Sequence, residues 1–252
     1  THGKTTTSYM LAHIFLDQGI EIGYLVGGIS ENFENPASLG KDSVFVIEAD
    51  EYDSAFFDKR SKFIHYSPSN LIINNIEFDH ADIFDDIEDI KKQFHHLIKI
   101  IKPSGNIIYF NDDLNTTEVI DRGIWCNKIG INSGNTKINF KSKELIIDNE
   151  TFSLADLPLI GEHNFNNYVC SILAAKLENI SVTESINSLK KFKGVKRRMD
   201  FITEIQGVKI YDDFAHHPTA IKLSCDAIRN KYPGKKILGL VELASNLSLI
   251  HI

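Results

Sequence analysis

The sequence predicts an α/β fold with a mostly parallel sheet flanked by helices. Three features carry that expectation: short apolar runs that end in acidic residues, amphipathic segments set between them, and glycine or proline at the joints. Residues 4–18, KTTTSYMLAHIFLDQ, place Met10, Leu11, Ile14 and Phe15 on one helical face, and Gly19 supplies a stop. SVFVIEAD (43–50) is a continuous apolar run ending in acids, as expected of a buried parallel strand. NLIINNIEFDH (70–80) repeats that design. In DDIEDIKKQFHHLIKII (85–101), Ile87, Ile90, Phe94, Leu97, Ile98 and Ile101 recur at helical spacing before Pro103. Asp85 and Asp86 suit that helix's N-terminus, where the backbone dipole favours negative charge.

GNIIYFNDD and GIWCNKIGI read as two further strands, and 137–160 as a small antiparallel excursion. Helices are expected at about 164–178 and 183–192. After KGVKRRMD the texture restarts with a strand pair (MDFITEIQG, VKIYDD), a helix from Pro218 and an apolar strand, KILGLVEL. A domain boundary is therefore expected near Arg197, giving domains 1–197 and 198–252. The second is short and ends on a strand, so it reads as unfinished.

Composition narrows the function classes. With 252 residues, 42% hydrophobic and 24% charged, the chain is ordinary for a globular protein. A net charge of -7 argues against general attraction to nucleic acid. No apolar run approaches the roughly 20 residues of a membrane span, and no signal-peptide pattern opens the chain. Cys126, Cys170 and Cys225 are widely spaced and outside any C-x-x-C pattern, as expected of buried thiols in a reducing cytoplasm.

The chain opens THGKTTT. A phosphate-binding loop uses successive backbone N–H groups and a helix N-terminus, then a lysine for the outer phosphates and a hydroxyl for Mg²⁺. Gly3, Lys4 and Thr5 stand in that order before an amphipathic helix. Alone, so short a match leaves open a Thr-rich start with no ligand. The strand ends add weight, since ligands of open α/β sheets collect at carboxyl ends. Glu48, Asp50, Glu51 and Asp53 gather after one run; Glu77, Asp79, His80 and Asp82 gather after the next. Most such acids are solvated loop ends or caps. Glu48 directly follows its apolar run, where a metal-binding acid is expected.

Five segments in order (THGKTTT, EADEYD, NNIEFDHADIFDD, GEHNFNNYVCSILAA and GVKRRMD…YDDFAHHP) resemble the Mur ligase family, the ATP-dependent amide-bond enzymes of bacterial cell-wall synthesis. The resemblance covers nearly all of the chain. It implies a P-loop-type central ATP-binding domain followed by the start of a Rossmann-like C-terminal domain, with ATP and Mg²⁺ as cofactors. EADEYDSAFFDKRSKFIHY is similar to the branch that recycles murein tripeptide; the branch that adds L-alanine typically reads EADESD there. The implied substrates are UDP-N-acetylmuramate and L-alanyl-γ-D-glutamyl-meso-diaminopimelate. L-alanine ligation, or an ATP-binding module without ligase activity, are the alternatives.

By the same resemblance, Thr1, His2, Gly3, Lys4, Thr5 and Thr6 form the phosphate loop. Thr5, Glu48 and His80 are metal-binding, His80 through a second Mg²⁺. His163, Asn164 and Asn167 line the ATP site, Arg198 reaches ATP from the domain junction, and Asp213 approaches the nucleotide. Lys4, Arg198 and His216 are the expected catalytic residues, with His217 beside them in HHP. Family members also carry a sugar-binding domain and a loop glycine ahead of the residues aligned with Thr1, and a longer last domain. By itself the chain is therefore expected to be inactive. Where relatives read EPRSNT, this chain has Leu243 and Ala244 in place of proline and arginine.

Plainer readings apply elsewhere. KKFKGVKRR is expected to be a solvated helix end, not a nucleic-acid patch. His13, His95 and His96 read as structural helix-face residues. Tyr24–Gly28 is either a second Gly-rich loop or a close-packed turn.

Overall fold

A computed structural model describes residues 1–80 and 83–242. The chain forms two compact units: Thr1–Lys4 with Ala49–Ala155, and Thr5–Glu48 with the described residues from Asp156 onward.

In the first unit, β-strands at Asn70–Ile73, Asn106–Phe110 and Asn127–Ile131 form a parallel sheet, in register Leu71↔Ile107 and Ile108↔Ile129. Their alternating apolar side chains pack against the helix Ile87–Lys99, whose buried Ile90, Phe94, Leu97 and Ile98 are those the periodicity singles out. Asp86 caps this helix, its carboxylate accepting from the N–H groups of Glu88 and Asp89 at 2.8 and 3.0 Å. The same core takes in Phe63, on a 3-10 turn at Lys62–His65, and Ile76. A helix at Leu114–Asp121, absent from the sequence expectations, covers part of it through Val119 and Ile120. Strands Asp53–Ala55 and Asp58–Ser61 form a hairpin, and Thr136–Asn139, Glu144–Ile147 and Glu150–Ser153 an antiparallel sheet.

The second unit is built on the helices Lys4–Asp17 (α1, from Thr5 on), Glu162–Leu177 (α2) and Val182–Leu189 (α3). α1 is buried on more than one face, with Tyr9, Met10, Ala12, His13, Ile14 and Phe15 all inside, and Gly19 follows at φ +77°. The His13 ring N–H donates to Ser188 O at 3.0 Å, and burial pushes its pKa down. His13 is a core residue, as expected. Strand Gly23–Leu25 (β1) runs parallel to Phe45–Ile47 (β2) and antiparallel to Ala37–Ser38.

Beyond Arg197 the hairpin Asp200–Ile205 and Val208–Asp212 leads to a helix at Pro218–Lys231 (α4). Its cap is His217, whose Nδ1 accepts from Thr219 N–H at 3.3 Å, and proline occupies its first turn. The strand expected at 236–243 does not form in its described part: 236–242 pair with no strand, and Leu238 and Leu240 are 82% and 92% exposed. An apolar run becomes a strand only when a neighbour takes up its backbone groups, and none does so among the described residues. Leu243, Ala244 and Asp82 lie outside the described residues.

Burial pushes the Cys170 thiol well above its usual range. Cys170 should stay unlabelled by a thiol reagent in the native protein while half-buried Cys225 reacts, as peptide mass spectrometry would report.

Candidate active site

The loop entering α1 is anchored first within the first unit. The Thr1 nitrogen donates to Asn75 O at 2.8 Å, and His2 N–H donates to Asn75 Oδ1 at 2.8 Å. Thr1 Oγ1 accepts from Glu77 N–H at 3.0 Å, and the His2 ring lies 3.3 Å from the Glu77 carboxylate. The polar run after the Asn70–Ile73 strand thus holds the opening residues. Gly3 turns the chain at φ +81°, a conformation other residues adopt only under strain. Lys4 Nζ then donates to Thr1 O at 3.0 Å and to the Glu51 carboxylate. The Glu51 side chain is only 3% exposed, and His80 Nε2 lies 3.9 Å from its Oε2.

The neighbouring acids are plainer. Asp50 is taken by Lys62 at 2.9 Å and Asp53 by Lys59 at 2.7 Å. Asp79 Oδ1 accepts from the N–H of His80 at 2.8 Å, with His80 at φ +57°.

In the second unit, Thr5 Oγ1 donates to Glu48 Oε1 at 2.6 Å, and Gly27 N–H donates to Glu48 Oε2 at 2.7 Å. Glu48 stands one residue beyond β2, so the strand fixes its backbone and these two donors fix its carboxylate. A Cβ on Gly27 would lie 3.1 Å from that carboxylate, tighter than nearly all real contacts. The segment Tyr24–Gly28 is therefore the end of β1 and a close turn that grips Glu48. Thr6 is buried at the start of α1.

Asn164 and Asn167 are buried in the first turns of α2 and share one hydrogen-bonded chain. Thr7 Oγ1 donates to Asn167 Oδ1 (3.1 Å), Asn167 Nδ2 to Asn164 Oδ1 (3.4 Å), and Asn164 Nδ2 to Ile160 O (2.8 Å). His163 is half-buried, its Nδ1 without a hydrogen-bond partner among the described residues. Burial pushes its pKa down and Asp213 opposes that. Asp213 accepts from Ala215 N–H at 3.3 Å and from the Ser224 hydroxyl. The Arg198 guanidinium lies 5.2 Å from the centre of the Phe214 ring, and His216 Nδ1 lies 3.0 Å from Phe214 O.

Chemically, the first unit offers an ammonium beside a backbone turn, and the second a hydroxyl and a carboxylate 2.6 Å apart. The second pair is a hard-oxygen donor set of the kind Mg²⁺ takes when it also binds phosphate. The sequence places Gly27 in a candidate loop or turn and Glu51 among the strand-end acids, without a role of its own for either. Adjacent glycines just after an apolar triplet were the only signal for Gly27, and nothing in spacing separates Glu51 from its acidic neighbours.

Comparison with known proteins gives this geometry its context. Residues 1–175 match the Mur ligase middle domain, and residues 197–245 match the Mur ligase glutamate ligase domain. The chain is 43% identical to the UDP-N-acetylmuramate–L-alanyl-gamma-D-glutamyl-meso-2,6-diaminoheptandioate ligase of Escherichia coli strain K12, over 98% of this chain and 55% of that protein. It is 36% identical to the UDP-N-acetylmuramate–L-alanine ligase of Clostridium kluyveri, over 94% and 52% respectively. The crystal structure of a murein peptide ligase from Psychrobacter arcticus 273-4 superposes with a TM-score of 0.73 at 35% identity, covering 93% of this chain and 54% of that one. The chain thus spans about half the length of the curated relatives it matches.

Proposed function

Because the chain belongs to the Mur ligase family, we propose that it is the ATP-handling part of a ligase joining UDP-N-acetylmuramate to L-alanyl-γ-D-glutamyl-meso-diaminopimelate. The observation that supports this substrate choice is the 43% identity to the tripeptide ligase, against 36% to the L-alanine ligase. A domain boundary near Arg197 accords with the spans of the two family matches. The setting inferred for the reaction is the cytoplasm; among the described residues no helix is long and apolar enough to cross a membrane.

The reaction requires a carboxylate to become a good acyl donor. An oxygen of the muramate carboxylate attacks the γ-phosphorus of ATP, the bond to the β-phosphate oxygen breaks, and ADP leaves an acyl phosphate. The neutral amine of the tripeptide then attacks the acyl carbon, loses a proton, and expels inorganic phosphate. Charge neutralisation and alignment supply most of the catalysis in such transfers. Lys4 offsets negative charge on the outer phosphates, while the amides following Gly3 orient them at the start of α1. Thr5 and Glu48 would hold Mg²⁺, with His80 assigned to a second ion; the metal would supply further neutralisation at the phosphates. Asn164, Asn167 and His163 are assigned to the nucleotide's base end, Arg198 and Asp213 to the last domain's approach to ATP, and His216 to the reacting groups.

The full-length gene product should release ADP when given UDP-N-acetylmuramate with the tripeptide. Replacing tripeptide by L-alanine should cost about 10⁴-fold or more in kcat/KM, the discrimination reached when a site's polar groups lose their partners. Equal turnover with both acceptors would defeat the tripeptide assignment. Turnover without any muramate carboxylate would defeat the ligase assignment.

A further inference from the structure

We propose that Glu51 is a positioning residue that holds Lys4 as an internal stand-in for phosphate, so that nucleotide must displace Glu51 to engage the lysine. This rests on the assignment of Lys4 to the nucleotide phosphates. Glu51 is a buried carboxylate, 3% exposed, two residues before the Asp53–Ala55 strand. The hydrogen bond from Lys62 N–H to Tyr52 O, at 3.0 Å, ties down the segment beside it. A buried carboxylate is tolerated only beside a cation, and the one donating to it here is Lys4. The other oxygen, Oε1, accepts no hydrogen bond among the described residues and lies 3.4 Å from the Thr1 nitrogen. Glu51 therefore draws its compensation from Lys4, which donates to it, and from the Thr1 nitrogen.

The lysine is equally committed. Its ammonium gives one proton to Thr1 O within the loop and another to Glu51. A phosphate that takes the same ammonium breaks a charge-assisted bond before it gains one. The two anions compete for one cation, and linkage makes the internal one subtract from nucleotide affinity. When the phosphate leaves, the carboxylate is at hand to recapture Lys4. The loop lysine is thus held in a defined position in the nucleotide-free chain rather than sampling its rotamers.

The sign of the effect separates this role from a structural one. Loss of a merely structural contact weakens ligand binding, whereas loss of an internal competitor strengthens it. Glu51→Gln keeps the side chain's shape and still accepts from Lys4, but as a neutral bond. In calorimetric titrations of the chain with ADP and Mg²⁺, Glu51→Gln should tighten binding by about 3- to 10-fold, the difference between a charge-assisted and a neutral hydrogen bond. In a Lys4→Ala background the same substitution should change affinity by less than about twofold, because the competition runs through the lysine.

Unchanged or weaker binding in Glu51→Gln would overturn the proposal. So would an equal gain with and without Lys4, which indicates simple repulsion between Glu51 and phosphate. If Lys4→Ala itself leaves ADP affinity untouched, the assignment of Lys4 to phosphate fails instead. Should the Lys4→Ala background bind too weakly to titrate, acylation of Lys4 by acetic anhydride, followed by mass spectrometry, decides. Glu51→Gln should speed that labelling several-fold, and an unchanged rate would count against the clamp.

Discussion

In the full-length gene product, Lys4→Ala is expected to lower tripeptide-dependent ADP release by about 10³-fold or more, roughly 4 kcal/mol of transition-state stabilisation. The reason is local. On the proposed assignment the loop presents neutral amides to phosphate, and Lys4 adds a full positive charge. Lys4 also carries a structural load, because it is the side chain whose ammonium donates to buried Glu51. Lys4→Ala should therefore also destabilise the fold, by about 1–3 kcal/mol, since the buried carboxylate loses its hydrogen-bonded cation. Lys4→Ala combined with Glu51→Gln separates the two effects. Thermal unfolding should return toward that of the wild type while activity stays lost. Recovery of activity in the double variant would remove Lys4 from the chemistry.

Phe63→Ala is expected to destabilise the protein by about 3–5 kcal/mol, the range for truncating a fully buried aromatic. Phe63 is 1% exposed on the Lys62–His65 turn, and its ring centre lies 5.2 Å from that of Phe94. The same core holds Leu71, Ile73 and Ile76, from the strand and the loop leading to Asn75, which anchors Thr1 and His2. The cavity left behind would loosen the sheet end that holds the loop, so nucleotide affinity should fall along with stability. A control is at hand on the hairpin nearby: Phe56 and Phe57 are 94% and 91% exposed, and Phe56→Ala should shift stability by less than about 0.5 kcal/mol. Urea midpoints of the two variants check the contrast. Equal shifts would mean that the core around Phe63 is misassigned.

Much of this architecture was legible because strong patterns map onto strong packing. Residues 85–101 carry a helical period that the core reads back residue by residue, and Asp86 sits at the cap where its short acidic side chain belongs. The strands at Asn70–Ile73 and Asn106–Phe110 show the continuous apolar texture of buried parallel strands. The Leu114–Asp121 helix escaped notice because only Val119 and Ile120 of its apolar residues are buried, too few to make a period. β1 escaped because three residues are too short to alternate. The strand that does not form at 236–242 has the opposite origin. Its apolar content was real, but strand formation depends on a partner that the local sequence does not encode.

The site divides along the same line. Thr5 and Glu48 could be singled out because each has a fixed place relative to an element, one entering α1 and the other leaving β2. Gly27 and Glu51 act through tertiary contacts made across loops, and no spacing rule reaches those. Asn164 and Asn167 are assigned to the nucleotide by resemblance alone, and their hydrogen bonding with Thr7 and each other is a tertiary fact.

The central claim is that the carboxylate gripped by Thr5 and Gly27 receives the metal accompanying a nucleotide. Titrating ADP into the wild-type chain and into Glu48→Gln, each with and without Mg²⁺, addresses it most directly. The expected result is that magnesium tightens ADP binding to the wild type by tenfold or more, on the order of 1.4 kcal/mol, and leaves Glu48→Gln nearly unchanged. An equal magnesium gain in both proteins would contradict the account.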